Sequence, residues 1–293
     1  MEVLIVGGTG FIGKALQKAF TEAKIPFKVL TRTPINSNEY HWNPKEKQID
    51  LKALLKTTHI VNLAGEGIAE KRWTKSRKTA LYTSRINATE YLFETCKANA
   101  LHLEGYIGIS GVNAFGFNDL KMYQETDSFG DDFLSTLVKA WENAHSLFSY
   151  LPNYSVVRLG MVLSKQGGAY KKISQPMRYG LGAIAGSGKQ MVPWIHLYDV
   201  VSVLLFLLKN KSLNVVHAAA NNATMKEITT TIADLEQSKI YLPNIPEFMV
   251  RLLFGEMGNL LTKSLRVDNN KLTCAGYSFT FNQLSALPNE KEN

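Results

Sequence analysis

The chain opens on an unbroken apolar run, Val3–Val6, and turns at once into Gly7-Gly8-Thr9-Gly10. From Phe11 to Ala23 apolar side chains return every three or four positions, the period of an amphipathic helix. A second apolar run, Phe27–Leu30, predicts the next strand. The alternation continues. Strands are expected at Tyr40–Trp42, Thr58–Leu63, Gly105–Ile109, Ser155–Leu163 and Val215–Ala219. Helices are expected at Leu51–Lys56, Ala80–Ala98, Asp131–Tyr150 and His196–Leu208. This order predicts an α/β fold, a Rossmann-like doubly wound parallel sheet.

The pattern changes near Lys165. Gln166–Gln190 holds Gly167, Gly168, Gly180, Gly182, Gly186 and Gly188 without a clear period. A stretch of that length is expected to be a functional loop or a small lobe. The chain therefore divides into a dinucleotide-binding core, 1–165, and a smaller C-terminal substrate-binding region, 166–293. Within the latter, about 196–219 is expected to return to the core. The tail predicts helices and a short closing strand around Tyr277–Phe281.

The turn Gly7-Gly8-Thr9-Gly10-Phe11-Ile12-Gly13 follows a strand and opens a helix, the context in which GxxGxxG carries meaning. Gly7 allows the tight turn, Gly10 lets a pyrophosphate approach the backbone, and Gly13 lets the helix pack closely on the sheet. The phosphates would meet the unpaired N–H groups and positive dipole end of the helix. After the second strand come Thr31 and Arg32, where an NAD site usually places an acid for the ribose hydroxyls. A guanidinium there suits a 2′-phosphate, so NADP(H) is favoured over NAD(H).

From these residues on, the chain resembles the extended short-chain dehydrogenase/reductases of the nucleotide-sugar epimerase type. Val61-Asn62-Leu63-Ala64-Gly65 resembles the turn that lines the cofactor there, which implies contacts from Leu63, Ala64 and Gly65 beside Thr9, Phe11 and Ile12. Ile107–Gly116 is similar to the strand that ends near a catalytic serine, which implies a place near the nicotinamide for Ser110. Trp194–Val200 is similar to a segment beside the sugar-binding lobe. Arg72-Trp73, Ser84-Arg85, Gly186–Gln190, Pro193–His196 and Leu253–Met257 resemble an atypical branch, the epimerase family proteins.

The resemblance fails at the acid/base pair. Family members carry Tyr-x-x-x-Lys on one helix; aligned on Glu142, those positions hold Leu134 and Val138. Lys139 is one residue out of register, about 100° around the helix. The remaining candidates for proton transfer are His196, Ser110, Asn113 and Tyr82, with Lys139 as a weaker one. The expected function is an NADP(H)-binding oxidoreductase or epimerase-like enzyme acting on a polar, phosphorylated or sugar-nucleotide-like small molecule. The alternative is a non-catalytic NADP(H)-binding redox sensor or partner-binding module.

Composition narrows the setting. Charged residues make up 20% and apolar ones 45%, ordinary values for a soluble protein. The net charge of +8 is scattered except at Glu70–Lys78, where Arg72, Lys75, Arg77 and Lys78 surround Trp73 and are candidates for a substrate phosphate. No aromatic stacking platform or basic tail points to nucleic acid. No apolar run reaches the ~20 residues of a membrane span. The two cysteines lack CxxC spacing and the histidines lack ligand spacing, so a cytoplasmic protein with free thiols and no metal is expected. A homodimer through Ala80–Ala98 and Asp131–Tyr150 is also expected, with Leu92, Leu137 and Trp141 either at its centre or facing the sheet.

Overall fold

The computed structural model describes residues 1–210 and 212–289. Its elements in chain order begin β1 (Val3–Val6), α1 (Phe11–Glu22), β2 (Phe27–Thr31), β3 (Glu39–Asn43), β4 (Gln48–Ile49) and β5 (His59–Asn62). Then come α2 (Lys75–Thr83), α3 (Ile86–Ala98), β6 (Gly105–Gly111), β7 (Met122–Tyr123), α4 (Phe133–His145), β8 (Asn153–Leu159), β9 (Met161–Ser164) and α5 (Gly168–Met177). The chain continues with β10 (Met191–His196), α6 (Leu197–Lys209), β11 (Asn214–Ala218), β12 (Asn221–Thr224), α7 (Met225–Leu235), α8 (Glu247–Phe254), α9 (Asn259–Thr262), β13 (Arg266–Val267) and α10 (Asn270–Cys274).

The main sheet has eight strands in the order β11-β8-β6-β5-β1-β2-β3-β4. All neighbours are parallel except β3 and β4, which form an antiparallel edge. The mixed α/β fold with a large parallel sheet is thus the Rossmann-like architecture expected. Alternation within the strands sorts the two faces. Val3 and Ile5 of β1 pack with Leu16 and Phe20 of α1. Leu4 and Val6 face Leu92 of α3. Helix α6 lies beside α1, and α4 beside α3.

The run Ser155–Leu163 is two strands, not one. Gly160 interrupts it: its N–H donates to the Ala218 carbonyl at 3.0 Å, and a Cβ there would lie 2.9 Å from the Pro193 carbonyl oxygen. The chain thereby leaves the main sheet and enters a second one, β12-β10-β9, covered by α5 and α7. The glycine-rich stretch holds a helix, α5, that the period does not reveal. Gly167 and Gly168 are there because the Phe11 ring fills their Cβ positions, 2.9 Å away in both cases.

Two further expectations are corrected. Ala80–Ala98 is not continuous; α2 and α3 are separated at Ser84-Arg85, where the Arg85 side chain turns back to the Leu81 and Glu66 carbonyls at 3.2 and 2.6 Å. Tyr277–Phe281 is not a strand. It is held by the buried Asp199 carboxylate, which accepts the N–H groups of Thr280 and Phe281 and the Tyr277 hydroxyl. The strand of the tail is β13, paired with β7. Of the two placements open for Leu92, Leu137 and Trp141, the structure shows the inward one, at 0, 2 and 5% exposure, and the outer faces of α3 and α4 show Glu90, Glu94, Lys97, Thr136, Lys139 and Asn143. Among the described residues no helix is long and apolar enough to cross a membrane.

Helix α1 approaches the turn before it closely. A Cβ on Gly13 would stand 2.2 Å from the Gly8 carbonyl oxygen. Gly13→Ala is therefore expected to lose about 1–3 kcal/mol, read as a lower urea midpoint with an unchanged m-value. An unaltered midpoint would show that α1 can shift without cost.

Candidate functional site

The C-terminal edge of the main sheet gathers the glycine turn and the ends of β2, β5 and β6. Gly7 has φ +77°, and a Cβ on it would meet the Leu63 carbonyl oxygen at 3.0 Å, so the β1 and β5 turns touch. Gly10 caps α1 with no side-chain hydrogen bond. A Cβ on Gly10 would meet only the Gly7 carbonyl oxygen, at 3.4 Å, which leaves its other sides open. The amides of Phe11, Ile12 and Gly13 lie in the first turn, where no helical acceptor precedes them. Thr9 and Gly10 are exposed, and Phe11 and Ile12 half-buried. Open N–H groups at a helix start are able to hold an anionic group such as a diphosphate.

Thr31 ends β2 buried, and Arg32 beyond it is exposed, with no carboxylate within ion-pair distance among the described residues. The acid that begins β3, Glu39, is turned the other way. It accepts the N–H groups of Ile35 and Asn36 at 2.7 and 3.3 Å, bonds that hold its carboxyl below the ordinary range. Arg32 is therefore open to an anion. At the end of β5, Asn62 is buried and rigid: its amide donates to Thr89 and Tyr106, and its oxygen accepts the Ala64 N–H at 3.1 Å. That fixes Leu63-Ala64-Gly65. Arg85 backs this turn, its guanidinium carbon 3.1 Å from where a Gly65 Cβ would be. Burial and the neighbouring Arg77 charge bring the Arg85 pKa down to about 10.

The positions of the missing acid/base pair are apolar and dry: Leu134 and Val138 are 2 and 1% exposed. Lys139 is on the outer face of α4. Of the other candidates, Ser110 is turned into the core, where its hydroxyl donates to Glu142 at 2.8 Å. His196 is buried too, as the N-cap of α6: Nδ1 accepts the Tyr198 N–H at 3.2 Å, and the ring packs on Phe281 with centroids 4.0 Å apart. Tyr82 is exposed on α2, and Asn113 is half-buried, its carbonyl accepting the Ser135 hydroxyl at 3.3 Å. The structure does not bring these residues together.

Sequence reasoning missed the network that holds Ser110. Arg158 of β8 grips Glu142 with two bonds of 2.7 and 2.8 Å, both side chains nearly dry. Its third nitrogen donates to the Glu125 carbonyl at 3.2 Å. His217 lies beside Arg158 in register on β11, its N–H donating to the Glu125 carboxylate and its Nδ1 bonded to the Asp268 carbonyl. The available signal was a lone charge at a position that strand or helix period assigns to the core. His145 belongs to the adjoining patch, bonded to the Tyr106 hydroxyl at 2.6 Å and the Ile109 carbonyl at 3.0 Å.

The basic stretch is less open than its composition suggests. Arg77 is paired with Glu66 and bonded to the Gly67 carbonyl, and Lys78 is paired with Glu256. Arg72 packs on Gly255. Trp73 is pinned by its indole N–H to the Ile68 carbonyl at 2.9 Å. Lys78 and Arg72 therefore dock the 66–78 loop on the tail, Arg77 is paired within the loop, and Lys75 is exposed. A groove of about 660 Å³ between β4 and α3, lined by His41, Ile49, Tyr91 and Glu94, lies apart from the glycine turn.

The chain matches the NAD dependent epimerase/dehydratase family over residues 3–131 and a domain of unknown function (DUF1731) over residues 245–287. It is 31% identical over 292 residues to epimerase family protein SDR39U1 of Mus musculus, covering 98% of each chain. It is 34% identical to epimerase family protein MT2273 of Mycobacterium tuberculosis, covering 96% of this chain and 94% of that one. The chain belongs to the epimerase family proteins. A crystal structure of the human epimerase family protein SDR39U1 (isoform 2) with NADPH superposes with a TM-score of 0.87 at 30% identity, covering 99% of this chain and 98% of that one. The likeness spans both the parallel sheet and the second lobe of this family member.

Two measurements check the buried network. Burial lowers the His145 pKa from 6.5 to about 4. Its stabilising effect is present above pH 6.5 and is lost as pH falls toward 4, because the unfolded chain takes up the proton first. The imidazole should titrate by NMR near 4, and a midpoint near 6.5 would show an open site. Separately, Arg158→Met should cost about 3–5 kcal/mol by stranding Glu142, and adding Glu142→Leu should recover much of it. Equal losses in the single and double variants would refute the pairing.

Proposed function

We propose that this chain binds NADP(H) and works as an NADP(H)-dependent oxidoreductase on a small molecule. The observation that carries the reading is the open helix cradle together with an unpaired Arg32 where a ribose-binding acid would select NAD(H). The NADPH complex of the human relative supports it. The amides of Phe11–Gly13 would hold the pyrophosphate, and the Arg32 fork the 2′-phosphate. Leu63-Ala64-Gly65 would flank the dinucleotide on the β5 side. When bound, the dinucleotide supplies a hydride or accepts one. Leu134 and Val138 give a water-poor bed without a proton donor.

That bed favours hydride transfer over epimerisation, which needs a protein base at a sugar hydroxyl. It also supports a second reading, a non-catalytic NADP(H) sensor. The two differ in whether any acceptor oxidises bound NADPH. A cytoplasmic setting fits the two unpaired cysteines, Cys96 buried and Cys274 exposed.

Calorimetric titration tests the cofactor reading. Wild type should bind NADPH more tightly than NADH. Arg32→Ala should weaken NADPH at least about tenfold, roughly 1.4 kcal/mol, and leave NADH unchanged. Gly10→Val should abolish both while the far-UV spectrum stays native. Equal affinity for the two cofactors in wild type would overturn the reading.

A further inference from the structure

Helix α8 turns its apolar residues outward. Phe248, Leu252 and Leu253 are each at least 61% exposed, and Met249 is exposed beside them. The buried residue of the helix is Val250, which packs against Gly258. At about 100° per residue, Phe248, Leu252, Met249 and Leu253 fall within one arc of about 140°. Glu247 and Arg251 stand one turn apart on the same flank of that arc. Arg251 has no carboxylate within ion-pair distance among the described residues. The segment leading into α8 extends the apolar surface. Tyr241 is exposed there, and the Leu242 N–H bond to the Gly182 carbonyl at 3.2 Å brings exposed Leu181 next to it. Exposed apolar residues grouped in this way, rather than scattered singly, mark a surface that is covered by a partner.

We infer that a second copy of this chain docks here, the two α8 helices packing antiparallel about a two-fold axis. Such a contact needs a patch that complements itself. Antiparallel helices bring the same flank of each copy together, so Glu247 of one copy meets Arg251 of the partner subunit, and the reverse pair forms with it. The apolar arcs then lie between the two ion pairs. The area suffices. Phe248 and Tyr241, 70 and 69% exposed, present roughly 200–350 Å² between them, at about 150–250 Å² for a whole aromatic side chain. The aliphatic side chains bring the strip near the about 800 Å² per partner of a stable interface. The charges favour a protein over an anionic bilayer. Glu247 and Glu256 balance the Lys263 and Lys78 with which they pair, and Arg251 is the one cation of α8 itself, whereas a bilayer surface is bound through a surplus of Lys and Arg. The outer faces of α3 and α4, polar and charged, offer no comparable apolar area.

Sedimentation equilibrium of the full chain, from about 1 to 100 μM, tests this directly, since dimer population follows protomer concentration. Wild type should reach twice the chain mass. Leu252→Asp should weaken the dimer at least about tenfold while the far-UV spectrum stays native, because that side chain stands in water in the single chain. Phe248→Asp gives the same comparison should the first variant fail to fold. Glu247→Arg and Arg251→Glu should each dimerise less than wild type, since each sets like charges against each other across the axis. Mixed in equal amounts they should dimerise again, because every pair across the axis is then of opposite charge. A single-chain mass for wild type over the whole range would overturn the inference, as would a dimer that neither aspartate variant weakens. A mixture no more dimeric than its two components would overturn the antiparallel pairing. Single chains that sediment with phosphatidylglycerol vesicles would make a bilayer the occupant and contradict the inference.

Discussion

The two-pronged bond between Glu142 and Arg158 joins α4 to the main sheet in a place almost free of water. A charge pair so deeply buried is stable only when its remaining donors and acceptors also find partners. Ser110, the Glu125 carbonyl and His217 fill those roles. Once they do, the orientation of α4 follows. Glu142 points at the sheet, and the residues one and two turns earlier, Val138 and Leu134, are buried in the core. The serine at the end of β6 is drawn to the same carboxylate. The burial of Leu134 and Val138 against the core is thus a consequence of how α4 is anchored.

The cofactor side of the edge has a different physical basis. It depends on backbone proximity. Gly7 meets the Leu63 carbonyl, Gly13 meets the Gly8 carbonyl, and Gly10 stands where nothing opposes a ligand. The Phe11 ring then runs from the first turn of α1 to the Gly167-Gly168 turn that starts α5. The dinucleotide cradle and the second lobe therefore share a contact, and α5 reaches back through Lys172 to the Ala69 carbonyl at 2.6 Å. The 66–78 loop is thus tied to α5 through Lys172 and to the tail through Lys78 and Glu256.

The parallel sheet and the glycine turn were legible in the sequence because they depend on local patterns. The β1 run, the 3.6 period of α1 and the glycine spacing sit within the first 22 residues. Arg32 was legible for a similar reason, as the residue just past β2. What could not be read depends on partners distant in the chain. Gly160 divides one apolar run because Pro193 approaches it, and Gly167-Gly168 begins a helix because Phe11 needs the space. The Asp199 carboxylate organises a tail some 80 residues later, where apolar spacing had suggested a strand. His196 was read as a candidate for chemistry because histidines titrate near neutrality. Its helix cap and its contact with Phe281 appear only in the fold.

On the proposed reading the dinucleotide sits on the glycine turn and not in the groove between β4 and α3. Amide hydrogen exchange with and without NADPH tests it most directly. The account predicts new protection at Phe11–Lys14, Arg32 and Ala64–Gly65, with no change at Gln48–Leu51 or Glu94–Asn99. Protection confined to the latter segments, or none at the first turn of α1, would contradict it.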